Sequence, residues 1–390
     1  MYIDYTDEQK QLRKELRAYF SQLMTPEARQ QIRNGQEESG DMYNQLIRQM
    51  GKDGWLSLGF PKEYGGQGKG TVEQLMFFEE ALLAGAPLPF VTINTVAPAL
   101  MDYGSEEHKQ KFLAGIIAGE IHFAIGYTEP NAGTDLAVLN TTAVKDGEYY
   151  VINGTKVFTS SAEGADYVWL AARTTPDVKH KGITMFIVDT KDPGFSVAPI
   201  HTVGGMRTNM TYYENVRVHE SMIVGEVDKG WGLIMAQLNH ERVGLAAWGI
   251  HGWRLYAETL AWARETHANG KRPIDEPYVQ QNLAEAYARL EAQRVMNARM
   301  AYELDQKRLH PALASAVKVY STEGIIEVVR LLMECVGPES MIGSKNAAAV
   351  LRGELEREYR RCQINTFGGG VNEIQRGIVA NFGLMMPRHR

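Results

Sequence analysis

The chain has 390 residues, of which 44% are hydrophobic and 23% charged, with a net charge of −6. That mix fits a soluble globular protein of two or three domains, or one large core with several layers. It argues against a nucleic-acid footprint, and no run of about 18 apolar residues suggests a membrane-spanning helix.

Thr6-Asp7-Glu8-Gln9 reads as a capping box, with Leu12, Leu16, Tyr19, Phe20 and Leu23 following at helical spacing. The opening residues Met1 to Asp7 have neither the basic start nor the apolar stretch of a signal peptide. Further helices are expected over Met42 to Met50, over Val72 to Leu83, and from Ser105 onward. Between them, Phe60 to Gly68 is glycine-rich but joins no clear strand to a helix, so a nucleotide loop is not expected there.

The character changes after Ile121. An apolar approach, Phe123 to Tyr127, runs into Thr128-Glu129-Pro130-Asn131-Ala132-Gly133-Thr134-Asp135. Pro130 lacks an N–H and Gly133 tolerates positive φ, so a turn is expected, with hydroxyls and open backbone for a ligand. An ordinary post-strand turn is the competing reading. Thr141 to Ile152 reads as a hairpin about Asp146-Gly147. Strands are expected at Lys156 to Ser160, Tyr167 to Ala172, Ile183 to Val188 and Phe195 to Pro199. Phe158 with neighbouring hydroxyls could stack a flat heteroaromatic ligand.

From Gly230 the period is helical again. Segments are expected over Trp231 to His267, Tyr278 to Lys307, Pro311 to Val336, Asn346 to Ile364 and Glu373 to Phe382, parted by short breakers. On the first, Glu241 shares a face with Leu238, Leu245, Trp248 and Gly252. A carboxylate on an apolar stripe is poised as a base, because desolvation raises its pKa. A buried Glu paired with Arg242, or an exposed one, is equally compatible. Near the end, Gly368-Gly369-Gly370 stops one helix and Asn372 is placed to cap the next, with Glu373 in its first turn. This corner is either a ligand-facing turn or a plain helical connection. The ten histidines show no ligand spacing and there is no Gly-x-Ser-x-Gly elbow. Cys335 and Cys362 have no metal-type spacing and no activating partner, which suits a reduced, cytoplasmic setting.

The run Tyr127 to Asp135 resembles the signature loop of acyl-CoA dehydrogenases. Pro61-Lys62-Glu63-Tyr64-Gly65-Gly66, Tyr150-Val151-Ile152-Asn153-Gly154-Thr155-Lys156 and Asn372-Glu373-Ile374-Gln375-Arg376 follow in that family's order and spacing. The resemblance spans essentially the whole chain. It implies an α+β fold: an N-terminal helical domain (1–120), a middle β-barrel-like domain (121–228) and a C-terminal four-helix bundle (229–390), with FAD held between them. It also implies that Tyr127, Thr128, Gly133, Thr134, Phe158 (where the family usually has Trp), Thr159, Ser160, Gly370 and Glu373 serve the cofactor. Asn239 and Arg242 would lie near the CoA end. Many members carry the base before the Ile-Gln-Arg motif, where this chain has Gly369. A smaller group, resembling isovaleryl- and long-chain acyl-CoA dehydrogenases, places it on the first bundle helix, and the matching residue is Glu241. The residue 369 N–H and a flavin ribityl hydroxyl would then polarise the thioester. Glu241 would take the α-proton as the β-hydrogen leaves for the flavin, giving a trans-2-enoyl-CoA.

Two motifs are missing. The Arg-x-Thr-Phe-Gly run that clamps a neighbour's flavin is replaced by Arg264 to Pro273, without Phe-Gly. The Gln-x-x-Gly-Gly segment reads Glu334-Cys335-Val336-Gly337-Pro338. The pattern resembles the paired acyl-CoA dehydrogenases of actinobacterial steroid side-chain degradation, which form α2β2 heterotetramers. It implies a base-bearing subunit completed by a second acyl-CoA dehydrogenase-like chain, a bulky or branched acyl-CoA such as a steroid side-chain thioester, and an electron-transferring flavoprotein as acceptor. A homo-oligomeric medium- or branched-chain fatty acyl-CoA dehydrogenase and a non-catalytic scaffold are the alternatives.

Overall fold

A computed structural model describes residues 4–33, 39–176, 178–237, 248–267 and 270–387. By internal contacts the chain divides into two compact units. The first comprises residues 1–74, 85–202 and 207–241; the second comprises 75–84, 203–206 and 242–390.

In the first unit, α1 (Asp7–Leu23) begins at the expected capping box: the Thr6 hydroxyl accepts from Gln9 N–H and the Gln9 side chain accepts from Thr6 N–H. It buries Leu16 and Phe20, while α3 (Asp41–Lys52; α2 is Pro26–Arg33) buries Leu46, Ile47 and Met50. Helix α4 (Thr71–Ala84) passes from the first unit into the second. Two later helices, α5 (Ala97–Tyr103) and α6 (Glu106–Ala118), complete the helical part. Ser105 caps α6 together with His108, whose Nε2 lies 2.5 Å from the Ser221 carbonyl. Burial pushes the His108 pKa down, which suits a neutral ring in a structural bond. Phe112 of α6 packs edge-on against Phe123 and Tyr167, joining helices to sheet.

The Pro61-Lys62-Glu63-Tyr64-Gly65-Gly66 run forms a single 3₁₀ turn that Gly65 ends with φ 81°. A Cβ added at Gly66 would stand 2.0 Å from the Phe60 carbonyl oxygen. This glycine motif is therefore a packing device, and Gly66→Ala is expected to destabilise the unit by about 1–3 kcal/mol in denaturant titrations.

The strands are β1 (Phe123–Gly126), β2 (Thr142–Asp146), β3 (Tyr149–Val157), β4 (Tyr167–Arg173), β5 (Ile183–Asp189), β6 (Phe195–His201), β7 (Arg207–His219) and β8 (Ile223–Val224). They form one sheet in the order β6-β7-β3-β2-β4-β5-β8, with β1 parallel to β4. The hairpin turns at Gly147, φ 63°, as Asp-Gly predicts. The expected strand at Lys156 to Ser160 is not separate: β3 runs through Lys156 and stops where Phe158 takes φ 60°. The longest strand, β7, lacks a clean apolar alternation and is interrupted by Asn215 at φ 57°, opposite a register shift in β3. It was not among the expected strands for that reason.

In the second unit, α7 (His251–Glu265), α8 (Pro277–Asp305) and α9 (Pro311–Val336) share a core that includes Leu255, Leu283, Leu290, Ile325, Val329 and Leu332. The expected helix from Asn346 to Ile364 is much shorter. Leu351, Arg352 and Gly353 all take left-handed φ, and only then does α10 (Glu354–Arg361) begin. A Cβ at Gly353 would meet Ser344 N at 2.5 Å, so the chain doubles back here rather than extending a helix. Helix α11 (Asn372–Ile378) packs on α9 and continues as a π-helical turn to Gly383. Of the expected Trp231 to His267 helix, residues 230–237 and α7 are helical, and residues 238–247 lie outside the described residues. No described helix is long and apolar enough to cross a membrane.

Candidate active site

The first unit carries the loop after β1. Its turn closes by reciprocal backbone bonds between Glu129 and Ala132. Gly133 does not take the positive φ expected of it. The paired backbone already makes the turn, and what Gly133 contributes is open space, with no atom within 4 Å of an added Cβ. Thr134 beside it is exposed.

The loop is fastened by two buried charges that sequence reasoning missed. Lys156, fully buried on β3, donates to the Tyr127 carbonyl at 3.0 Å and to Glu129 Oε1 at 2.8 Å. The Glu129 carboxylate also accepts from the N–H groups of Asn140 (2.6 Å) and Thr141 (2.8 Å). Burial pushes Glu129 up, but Lys156 and these donors outweigh it and hold the carboxyl below its ordinary value. Burial pulls Lys156 down to about 8 against the opposing pull of Glu129, so the pair is ionised at neutral pH. At the far end, Arg173 of β4 donates to the carbonyls of Ala137 (2.6 Å) and Leu139 (3.1 Å), and to three carbonyls in the 178–181 turn.

These contacts occupy the Tyr127 and Thr128 carbonyls, the latter accepting from Val157 N–H at 2.8 Å. The Thr128 N–H has no acceptor among the described residues. The Tyr127 hydroxyl donates to Gln237 Oε1, which also accepts from Trp169 Nε1 at 2.9 Å. Gln237 is buried, and its Nε2 has no partner among the described residues. Phe158 keeps 60% of its surface exposed on its left-handed backbone, presenting a ring beside the loop. Thr159 is buried against Thr211 and bonded to Asn209 in both directions. The Ser160 hydroxyl pairs with Thr208 at 3.1 Å. Thr159 and Ser160 thus hold Phe158 in place.

The second unit carries the glycine corner. Gly369 and Gly370 take φ 67° and 94°, and neither N–H has an acceptor among the described residues. A side chain at Gly370 would strike Gln375 Nε2 at 2.5 Å. Glu373 is exposed in the first turn of α11. Asn372 is not the cap expected of it. The cap position is Val371, and the Asn372 side chain turns inward to Lys318, Thr322 and Glu323. Glu241, Asn239 and Arg242 lie outside the described residues.

Each altered motif carries a surface ion pair. Arg272 is forked onto Asp275 at 2.8 and 3.0 Å. Glu334 is paired with Arg330 and accepts from Asn282 Nδ2 at 3.2 Å. Both cysteines are buried, with thiols pushed up to about 12 by burial, and are unreactive. No described group of three His, Cys, Asp or Glu residues could hold a metal.

Comparison with known proteins decides the family. The N-terminal, middle and C-terminal domains of acyl-CoA dehydrogenases match residues 6–120, 124–216 and 228–384. The chain belongs to the acyl-CoA dehydrogenase family. It is similar to acyl-CoA dehydrogenase FadE26 of Mycobacterium tuberculosis, with 49% identity covering 100% of this chain and 99% of that one. Among solved structures it resembles a chain of the ChsE4-ChsE5 complex from Mycobacterium tuberculosis, at 50% identity and TM-score 0.94. It equally resembles a chain of the Tcur3481-Tcur3483 steroid ACAD, at 50% identity and TM-score 0.95. Each covers both chains completely. The fold is that of an acyl-CoA dehydrogenase, and the protein is an oxidoreductase of that class. Proteins of this family are FAD-dependent. The residues present fit that group: an exposed aromatic ring, an unpaired Thr128 N–H, and open space at Gly133 lie together in the first unit.

Proposed function

We propose that this chain is the base-bearing subunit of an α2β2 acyl-CoA dehydrogenase acting on bulky or branched acyl-CoA thioesters, of which steroid side-chain thioesters are the favoured class. The observation that carries this reading is the 50% identity, over whole chains, to subunits of two complexes, one of them named a steroid ACAD. The missing Phe-Gly in Arg264 to Pro273, and Glu334 where a Gln is expected to face a pyrophosphate, support it. We assign residues 1–120, 121–228 and 229–390 to the helical, β and bundle domains.

Tyr127, Thr128, Gly133 and Thr134 form the flavin-side wall, Phe158 stacks beside it with Thr159 and Ser160 behind, and Gly370 and Glu373 also serve the cofactor. When bound, FAD supplies the acceptor for the β-hydrogen as hydride. Glu241 removes the α-proton, and the Gly369 N–H draws charge onto the thioester oxygen as it develops. Asn239 and Arg242 orient the CoA end. The product is the trans-2-enoyl-CoA, and an electron-transferring flavoprotein in the cytoplasm reoxidises the enzyme.

Expression with and without a co-purified partner tests the assembly. The chain alone is expected to hold little flavin and to miss the tetramer mass in light scattering, with both restored by the second subunit. A homotetramer with four tightly bound FAD would overturn the paired reading.

A further inference from the structure

The glycine corner is built from the residues least able to hold a fixed backbone. Phe367-Gly368-Gly369-Gly370-Val371 contains three glycines in a row, each with a large conformational entropy to lose. A backbone N–H aimed at a developing charge helps only if it is already in position. The restraint must come from outside the loop.

It comes from one ammonium group. Lys318 of α9 is 2% exposed, and its Nζ donates to the Thr366 carbonyl at 3.0 Å and to Asn372 Oδ1 at 2.6 Å. Thr366 precedes the loop and Asn372 follows it, so a single side chain ties both ends. Asn372 is then fixed by its own amide, which donates to Thr322 Oγ1 at 3.1 Å and Glu323 Oε1 at 2.9 Å. The chain of bonds continues outward to Arg376, forked onto Glu323 at 2.6 and 2.7 Å. Within the loop, Gln375 Nε2 lies 3.5 Å from the Gly369 carbonyl and covers Gly370. Burying an ammonium is costly, and packing alone would be served as well by an apolar side chain. The placement of this charge is explained by what it holds.

We propose that Lys318 is a positioning residue for dehydrogenation: it fixes both ends of the glycine loop and thereby aims the Gly369 N–H at the thioester oxygen. The proposal rests on the assignment of Gly369 given above. The experiment uses the flavin-loaded complex and a sterol side-chain 2-enoyl-CoA carrying ¹³C at the thioester carbon, whose bound carbonyl stretch reports the hydrogen bond. In the parent enzyme the stretch falls below its value in free ligand. In Lys318→Met it returns toward that value, flavin reduction by the matching acyl-CoA slows about tenfold to hundredfold, and Kd changes less than about threefold. Lys318→Arg restores part of both signals, because the charge and its donors return. Where Lys318→Met fails to load flavin, Asn372→Ala removes one of the two anchors and is expected to move both signals less, in the same direction. Unchanged carbonyl frequency and reduction rate in Lys318→Met would overturn the proposal. A parent enzyme with the free-ligand frequency would overturn the Gly369 assignment itself, leaving Lys318 a stability residue.

Discussion

Glu241→Gln is expected to slow acyl-CoA-dependent flavin reduction by about 10²–10⁴-fold while leaving ligand affinity nearly unchanged. Gln keeps the size and hydrogen-bonding shape of Glu but cannot take a proton at working pH. Stopped-flow reduction separates the two effects, because chemistry appears in the limiting rate and binding in its concentration dependence. A reduction rate equal to that of the parent would show that the base lies elsewhere. Moving the base back is a sharper control. In Glu241→Gln/Gly369→Glu the carboxylate is supplied at the position many relatives use. Gly369 takes φ 67°, a conformation that costs an L side chain about 1–2 kcal/mol. The double variant is therefore expected to recover little activity, since the new carboxylate strains the loop that carries it. A full recovery would mean that the glycine corner is interchangeable with its relatives' loop, and that its left-handed backbone is not functionally required.

Local signals carried the helices well. Pro311 and Gly337 bracket α9, and the Thr6 and Ser105 caps mark helix starts, because each acts within a few residues of itself. The positions of the loop and the glycine corner were also legible from residue type and order. What holds them was not. Lys156 reads in sequence as one polar residue of a strand, and Asn372 as a cap. Their partners stand 27 and 54 residues away, and no periodicity connects them. Gly133 and Gly353 show the same limit from the other side. Glycine announces conformational freedom, but whether the fold spends it on φ or on space depends on neighbours the pattern does not name. The short α10 shows the same limit, since three left-handed residues precede it and one of them, Gly353, packs closely against Ser344.

Breaking the Glu129–Lys156 pair is expected to cost about 3–5 kcal/mol of stability in the first unit, because either partner left alone is an uncompensated buried charge. Lys156→Met leaves the Glu129 carboxylate with only the Asn140 and Thr141 N–H groups and frees the Tyr127 carbonyl. Glu129→Gln leaves a fully buried ammonium with neutral acceptors only, the Tyr127 carbonyl and the new amide oxygen. The double variant Glu129→Gln/Lys156→Met is expected to be less destabilised than either single change, since it removes both charges together. Denaturant titration of all three measures the coupling, and additive losses would show that the two residues act independently. Flavin retention should follow stability only in part. The double variant regains folding, but the Tyr127 carbonyl has no ammonium to hold it, so the loop should bind flavin more weakly than in the parent. The acid limb gives an independent check. The folded Glu129 pKa lies below its ordinary value, so its contribution is complete above the ordinary carboxylate range and is lost as pH falls through the folded value. Stability of the parent should therefore fall more steeply on acidification than that of the double variant. Identical acid limbs would mean that the Glu129 carboxyl is not held below its ordinary value in the folded protein.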